Sequence, residues 1–353
     1  MDDRRRFPNL FWPVILIGVG GLYLLQNLGM IEMISFYEIW RLWPIFLVIA
    51  GINMLFGKRN RWLASLLSGL MALVVVAFLF FAPMVIDTLP TPEMTTERFA
   101  DPLGDARQAD VVVDFDRGNV EIFPLVDNPN LFTAVVTHDE KVTFNSSGSS
   151  SRNIRLHLDQ VGPSVFTDWI SQNQVQAEVG LATGVPVDLE VYLGGGNSDM
   201  ALSEIMLDNL KADSGSGNLT VSLPGGDYPV DLSSGSGSVT VATSEDSQLD
   251  MKVDVGSGRI AVTLADGNSG EIKLESGSGS ITVVVPEGLA VQVRGDTGSG
   301  SVSVPAGFVR TSGGENVVGD GGTWQTEGFD QAELQLVIRF DVGSGSFKVL
   351  MGN

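Results

Sequence analysis

The sequence predicts a membrane α-helical N-terminal region of three transmembrane helices followed by an all-β domain, most of it a β-solenoid of stacked two-strand coils about 21 residues long. Three observations predict this. Long apolar stretches fill the first 86 residues, Gly-Ser-Gly triplets recur on a near-constant grid in the second half, and apolar residues alternate with small polar ones on both sides of each triplet. Charge divides along the same line: residues 1–86 carry seven Lys/Arg against four Asp/Glu, and residues 87–353 carry 14 against 38. So acidic a surface excludes nucleic acid as a partner, because phosphates need Lys and Arg to displace their counterions.

The N-terminal region, 1–86, contains apolar stretches at 11–28, 40–56 and 62–86. A helix needs roughly 20 apolar residues to cross the hydrocarbon core, with about 17 as a lower limit. Basic clusters set the orientation, since Lys and Arg are retained on the cytoplasmic side. Arg4, Arg5 and Arg6 precede the first stretch, and Lys58, Arg59 and Arg61 stand between the second and third. Both clusters lie inside only if all three stretches cross. The expected location is therefore the bacterial cytoplasmic membrane, with the N-terminus inside and everything after about residue 87 extracytoplasmic.

The first two stretches also repeat each other with a displacement of 31 residues, pairing Trp12-Pro13 with Trp43-Pro44 and Gly20 with Gly51. Trp at the start of each span suits the headgroup level, and Pro near a helix N-terminus removes no needed hydrogen bond. Residues 87–100, with Pro90 and Pro92, read as an extended linker. Residues 101–193 carry less regular strand signals at 111–115, 119–123, 132–137, 141–145, 154–158 and 185–193, with a flexible loop at 146–151 and a short helix or capping segment at 166–170. Arg117-Gly118-Asn119 resembles the later turns, so this part reads as an irregular beginning of the same β domain.

The repeat region, 194–353, carries Gly-Ser-Gly at Gly215–Gly217, Gly235–Gly237, Gly256–Gly258, Gly277–Gly279, Gly298–Gly300 and Gly343–Gly345. Gly194-Gly195-Gly196 and Gly319-Asp320-Gly321 fall on the same grid, giving intervals of 21, 20, 21, 21, 21, 21 and 24 residues. Such a period suits one coil of a solenoid. The twelve triplet glycines are structural: tight stacked turns need positive φ and leave no room for Cβ. A phosphate-cradling loop would need a Lys after the turn, and none follows.

Two residues before five of the six triplets stands an acid: Asp213, Asp254, Glu275, Asp296 and Asp341. Stacking sets them in a column along one edge. Asp beside a turn accepts backbone hydrogen bonds, and that turn-capping role is the expected one; an oxygen-rich ladder also offers a place for a cation such as calcium. No other cofactor is expected. The chain has no cysteine, and its only histidines are His138 and His157, which leaves little for a zinc site. His138, at a strand end, is expected to be a surface residue.

The doubled Trp-Pro-apolar-Gly segment, with Leu24-Leu25-Gln26-Asn27-Leu28-Gly29 after its first copy, resembles the transmembrane region of the LiaI/LiaF-like bacterial envelope proteins. The region beyond it is similar to the toast-rack and putative-adhesin β domains attached to such regions. The resemblance implies a role in the cell-envelope stress response, with a membrane histidine kinase or another envelope protein as partner. A third span and a long solenoid depart from that pattern. With no catalytic pattern in the sequence, the expectation is a non-enzymatic envelope protein that senses or regulates; the alternative is an adhesin-like or scaffold module on a membrane anchor.

Overall fold

A computed structural model describes residues 94–159, 175–313 and 320–352. The three expected spans, the Trp-Pro steps at Trp12-Pro13 and Trp43-Pro44, and the expected helix at 166–170 lie outside the described residues. The rest is all-β: sixteen strands in one branched sheet, with a single 3₁₀ turn at Phe329–Gln331.

The body of the sheet is built from β8 (Val187–Ala201), β9 (Leu207–Ser222), β10 (Asp227–Ala242), β11 (Gln248–Thr263), β12 (Ser269–Val285), β13 (Val291–Ser303) and β16 (Leu336–Met351). Most are 15–17 residues long, and each carries its glycine triplet in the middle. Neighbours are parallel and in register across the triplet, so Val230 faces Met251, Gly237 faces Gly258 and Val241 faces Val262. The two expected short strands per coil are thus two arms of one strand. In β10 the buried set before the triplet is Val230, Leu232 and Ser234, and after it Val239 and Val241. The inward face switches from even to odd positions. With period-two side chains, only a chain that folds over at the triplet can aim both sets into one core. No hydrogen-bonded ladder joins the two arms of a coil; each arm bonds instead to the same arm of its neighbours.

The corner tolerates only glycine at its second Gly. A Cβ on Gly237 would lie 1.8 Å from the carbonyl oxygen of Gly217, and one on Gly258, at φ +151°, would lie 1.7 Å from that of Gly237. Side by side at the opposite edge, the return turns are knit by side chains. The buried Asn268 accepts from the Ala265 N–H at 3.1 Å and donates to the Ser244 carbonyl at 2.7 Å, so one turn holds the next.

Two features of the stack depart from the sequence period. The strand order is β12-β16-β13, so the C-terminal strand inserts between two strands whose triplets are 21 residues apart. Space explains the fit: β16 brings Phe340 and Phe347, stacked at 3.9 Å between centroids, and Gly295 of β13 sits opposite Phe340 where other coils carry aliphatic side chains. Gly319-Asp320-Gly321 is also not a rung. Its described part leads into β15 (Gly321–Thr326), which runs antiparallel between β13 and β14 (Phe308–Ser312) and covers the first arm of the last coil with Trp324.

Toward the N-terminus the sheet divides at β8. The first-arm side continues through β2 (Gln108–Phe115) and β6 (Ser151–Asp159) to β5 (Lys141–Ser147); the second-arm side continues through β3 (Asn119–Leu125), β7 (Gln176–Ala182) and β4 (Asn130–His138) to β1 (Thr95–Pro102). β2 and β3 form one more coil, with the Gly118 N–H donating to the Gly195 carbonyl at 2.9 Å. β1 lies within the stretch read as a linker; Phe99 stacks on Phe144 at 5.3 Å, which gives that stretch a reason to pair. His138 is buried rather than exposed, its Nδ1 against the Glu140 carbonyl and its Nε2 3.7 Å from Glu97.

Two substitutions test the corner from opposite sides. Gly258→Ala should lower stability by about 2–4 kcal/mol, because backbone must shift. Ser234, buried one residue before its triplet, leaves its hydroxyl without a partner, while Val255 and Val342 fill the same place in other coils. Ser234→Val should therefore raise stability by about 1 kcal/mol. Denaturant unfolding monitored by circular dichroism reads both.

Candidate functional site

In-register stacking turns every sequence position of the coil into a column, so the surfaces follow from which residue types occupy each position. Outside the first arm, two residues before the triplets, run Asp213, Ser233, Asp254, Glu275, Asp341 and Asp296 in spatial order. The five acids foreseen in the sequence do share one column, though with Asp341 between Glu275 and Asp296 and with Ser233 isolating Asp213. Beside it, four residues before the triplets, stand Lys211, Asp231, Lys252, Lys273, Arg339 and Arg294. This basic column was legible on the same grid, read two residues further upstream.

Together the two columns hold five bases and six acids, so the face is nearly neutral. Lys273 Nζ donates to Glu275 at 2.7 Å and Lys252 approaches it at 3.7 Å; the Lys273 hydrogen bond, the largest influence, holds the Glu275 carboxyl below its usual range. A cation at Glu275 would have to displace two ammonium groups. Among the described residues, no three His, Cys, Asp or Glu side chains are grouped to hold a metal ion.

The net negative charge collects at the other edge. The return turns present Glu204, Asp227, Glu245, Asp246, Asp266 and Glu287, all exposed, and the turns 202–208, 223–227, 243–247, 264–268 and 286–290 contain no Lys or Arg. One edge of the stack is therefore neutral Gly-Ser-Gly and the other carboxylate.

The outside of the second arm differs again. In β9 to β12 it shows small residues, among them Thr220, Thr240, Ala261 and Thr282 in one column. Where β7, β3, β8 and β9 lie side by side, this face sinks into an open cleft of about 520 Å³. A row of amides, Gln176, Asn119, Asn197 and Asn218, crosses it from strand to strand. The Asn218 side chain donates to Asn197 Oδ1 at 3.0 Å, and the Asn197 N–H donates to Asn119 Oδ1 at 3.1 Å. Two residues along, Glu178, Glu121 and Asp199 form a parallel carboxylate row. Such amides and acids can hydrogen-bond a polar ligand through its hydroxyl, amide or ammonium groups. None of these cleft residues was singled out in the sequence as a binding group, because their alignment depends on β3 and β7 pairing over a sequence separation of more than 50 residues.

Behind the cleft, charged groups fix the N-terminal strands. Arg117, at the β2–β3 corner, donates to Asp139 at 2.8 Å and lies 3.3 Å from Glu140; Arg152 pairs with the buried Asp101, which also accepts from Ser146 at 2.9 Å. Buried and exposed ion pairs should separate cleanly on mutation. Arg152→Met strands a buried carboxylate and should cost about 3 kcal/mol. Lys273→Met should cost less than about 1 kcal/mol. Urea denaturation of the two variants checks the contrast.

Three family models match successive stretches of this chain. A LiaI-LiaF-like transmembrane region matches residues 10–55, an N-terminal domain of toast_rack (DUF2154) matches 90–242, and the Toastrack DUF4097 model matches 190–323. No curated protein sequence matches the chain. Among solved structures, a "putative cell adhesion protein" from Clostridium sporogenes aligns at 13% identity and TM-score 0.35 over 74% of this chain and 100% of that one. A "putative adhesin" from Bacteroides fragilis aligns at 10% identity and TM-score 0.30, covering 74% and 99%. A "putative lipid binding protein" from Parabacteroides distasonis aligns at 10% identity and TM-score 0.29, covering 73% and 97%. The chain thus matches, in order, a LiaI-LiaF-like transmembrane region, a toast-rack N-terminal domain and a toastrack domain.

Proposed function

We infer that this chain is a non-enzymatic bacterial envelope protein, anchored in the cytoplasmic membrane by three N-terminal helices, that regulates the response to cell-envelope stress by binding a partner outside the membrane. The observation that carries the reading is the order of the family matches, a LiaI-LiaF-like transmembrane region directly ahead of toast-rack modules. The basic clusters Arg4–Arg6 and Lys58–Arg61 support a cytoplasmic N-terminus, which leaves the β stack outside. A membrane histidine kinase, or another envelope protein, is the proposed partner within the bilayer. The amide and carboxylate cleft is the proposed contact for a polar ligand.

A second reading is an adhesin-like or scaffold module, in which the stack presents a binding surface without signalling. The long, regular second-arm face of small residues favours it, since such a face suits an extended partner.

Deleting the gene should change the output of a cell-wall stress reporter, and the full chain should restore it. An unchanged reporter, with pull-downs that recover polysaccharide and no kinase, would support the second reading and sink the first. Topology has its own test in this cysteine-free chain. Asn60→Cys should resist a membrane-impermeant maleimide in intact cells and react after lysis; labelling from outside would overturn the three-span arrangement.

A further inference from the structure

Among the described residues, the second arm of β13 is the one long-strand arm with a partner on one side only. Residues 299–303 pair with β16, from Ser299 opposite Ser344 to Ser303 opposite Lys348, while β15 covers only the first arm, up to Asp296. The core is correspondingly less closed there: Val302 and Val304 occupy the inward columns of Phe347 and Val349 yet are only half-buried.

Other strands bordered on one side carry the residues that discourage edge pairing. β1 holds Glu97, Arg98, Asp101 and Pro102, β5 holds Lys141, and β14 holds Arg310. Charges and prolines at such places blunt the open row of N–H and C=O groups. Residues 299–304, Ser-Gly-Ser-Val-Ser-Val, have neither.

We propose that this edge pairs antiparallel with the same edge of a second copy, closing a two-fold symmetric dimer. A two-fold contact must be self-complementary, and a neutral strand of small side chains is its own complement in an antiparallel ladder. It opposes no charge to its copy, whereas the return-turn edge of the same stack would set carboxylate against carboxylate. The two half-buried valines of each copy would gain cover from the added strand. Because the edge is neutral, the stack's overall negative charge acts only from a distance, where salt at physiological strength screens it over about 8 Å.

The test uses the full chain in its membrane, where the lack of native cysteine gives a clean background. Ser299→Cys, Ser301→Cys and Ser303→Cys bracket the two-fold axis, and Thr240→Cys, exposed in mid-stack, is the control. Mild oxidation should give disulfide-linked homodimers from at least one edge position and none from Thr240→Cys. Adding Ser301→Lys with Ser303→Lys, which face outward and leave the core intact, should reduce dimer measured by light scattering in detergent about tenfold, the equivalent of losing about 1.4 kcal/mol. Unchanged thermal unfolding of that variant would show that the fold is retained. Monomeric mass with no edge cross-link, equal cross-linking at Thr240→Cys, or a cross-link to a different protein would each overturn the proposal.

Discussion

At each corner of the stack, the backbone of one coil lies against the backbone of the next with no room for a single carbon between them. The carbonyl oxygen of Gly217 occupies the place where a side chain on Gly237 would begin, and Gly237 stands in the same relation to Gly258. That contact fixes the rest of the architecture. It demands glycine at one position in every coil, it lets the strand fold over so that the inward face changes parity, and it keeps the coils in register along both arms. Register then aligns like positions into columns, and the columns become the surfaces of the protein.

Once positions become columns, chemistry is sorted by edge and face instead of being gathered into a pocket. The corner edge is neutral and rich in serine, the return edge carries only acids, and the outer face of the first arm alternates Lys or Arg with Asp or Glu. This geometry suits recognition of extended partners, since identical rungs roughly 4.8 Å apart offer repeated contacts. The irregular N-terminal strands break the pattern, and the cleft forms there. Its amides come from four strands that the regular coils alone would not assemble.

Much of this was legible in the sequence because the repeat is local. The triplets, the alternating Val, Leu and Ile around them, and the column of Asp213, Asp254, Glu275, Asp296 and Asp341 all follow from counting along the chain. What escaped is non-local. Nothing in a 21-residue interval reveals that β16 enters between β12 and β13; only the pairing of Phe340 with the space above Gly295 accounts for it. The strand Thr95–Pro102 hid behind linker prolines, and Gln176–Ala182 alternates Ala, Val and Leu with polar residues too briefly to stand out. The burial of His138 depends on β1 crossing it from the far end of the domain. The basic column beside the acids was present on the grid, and it changes the meaning of that column from a cation ladder to half of a charge-balanced face.

The most direct measurement compares two cysteine pairs at the exposed middle serines of the corners. Sequence period places Ser278 and Ser299 on successive rungs, 21 residues apart, whereas the structure puts Ser344 between them, beside each. Neighbouring rungs lie about 4.8 Å apart and alternate rungs roughly twice that, beyond the ~7 Å reach of a disulfide. Ser278→Cys with Ser344→Cys should therefore form an intramolecular disulfide on oxidation, and Ser278→Cys with Ser299→Cys should not. The reverse result would contradict the stacked-corner order on which the account rests.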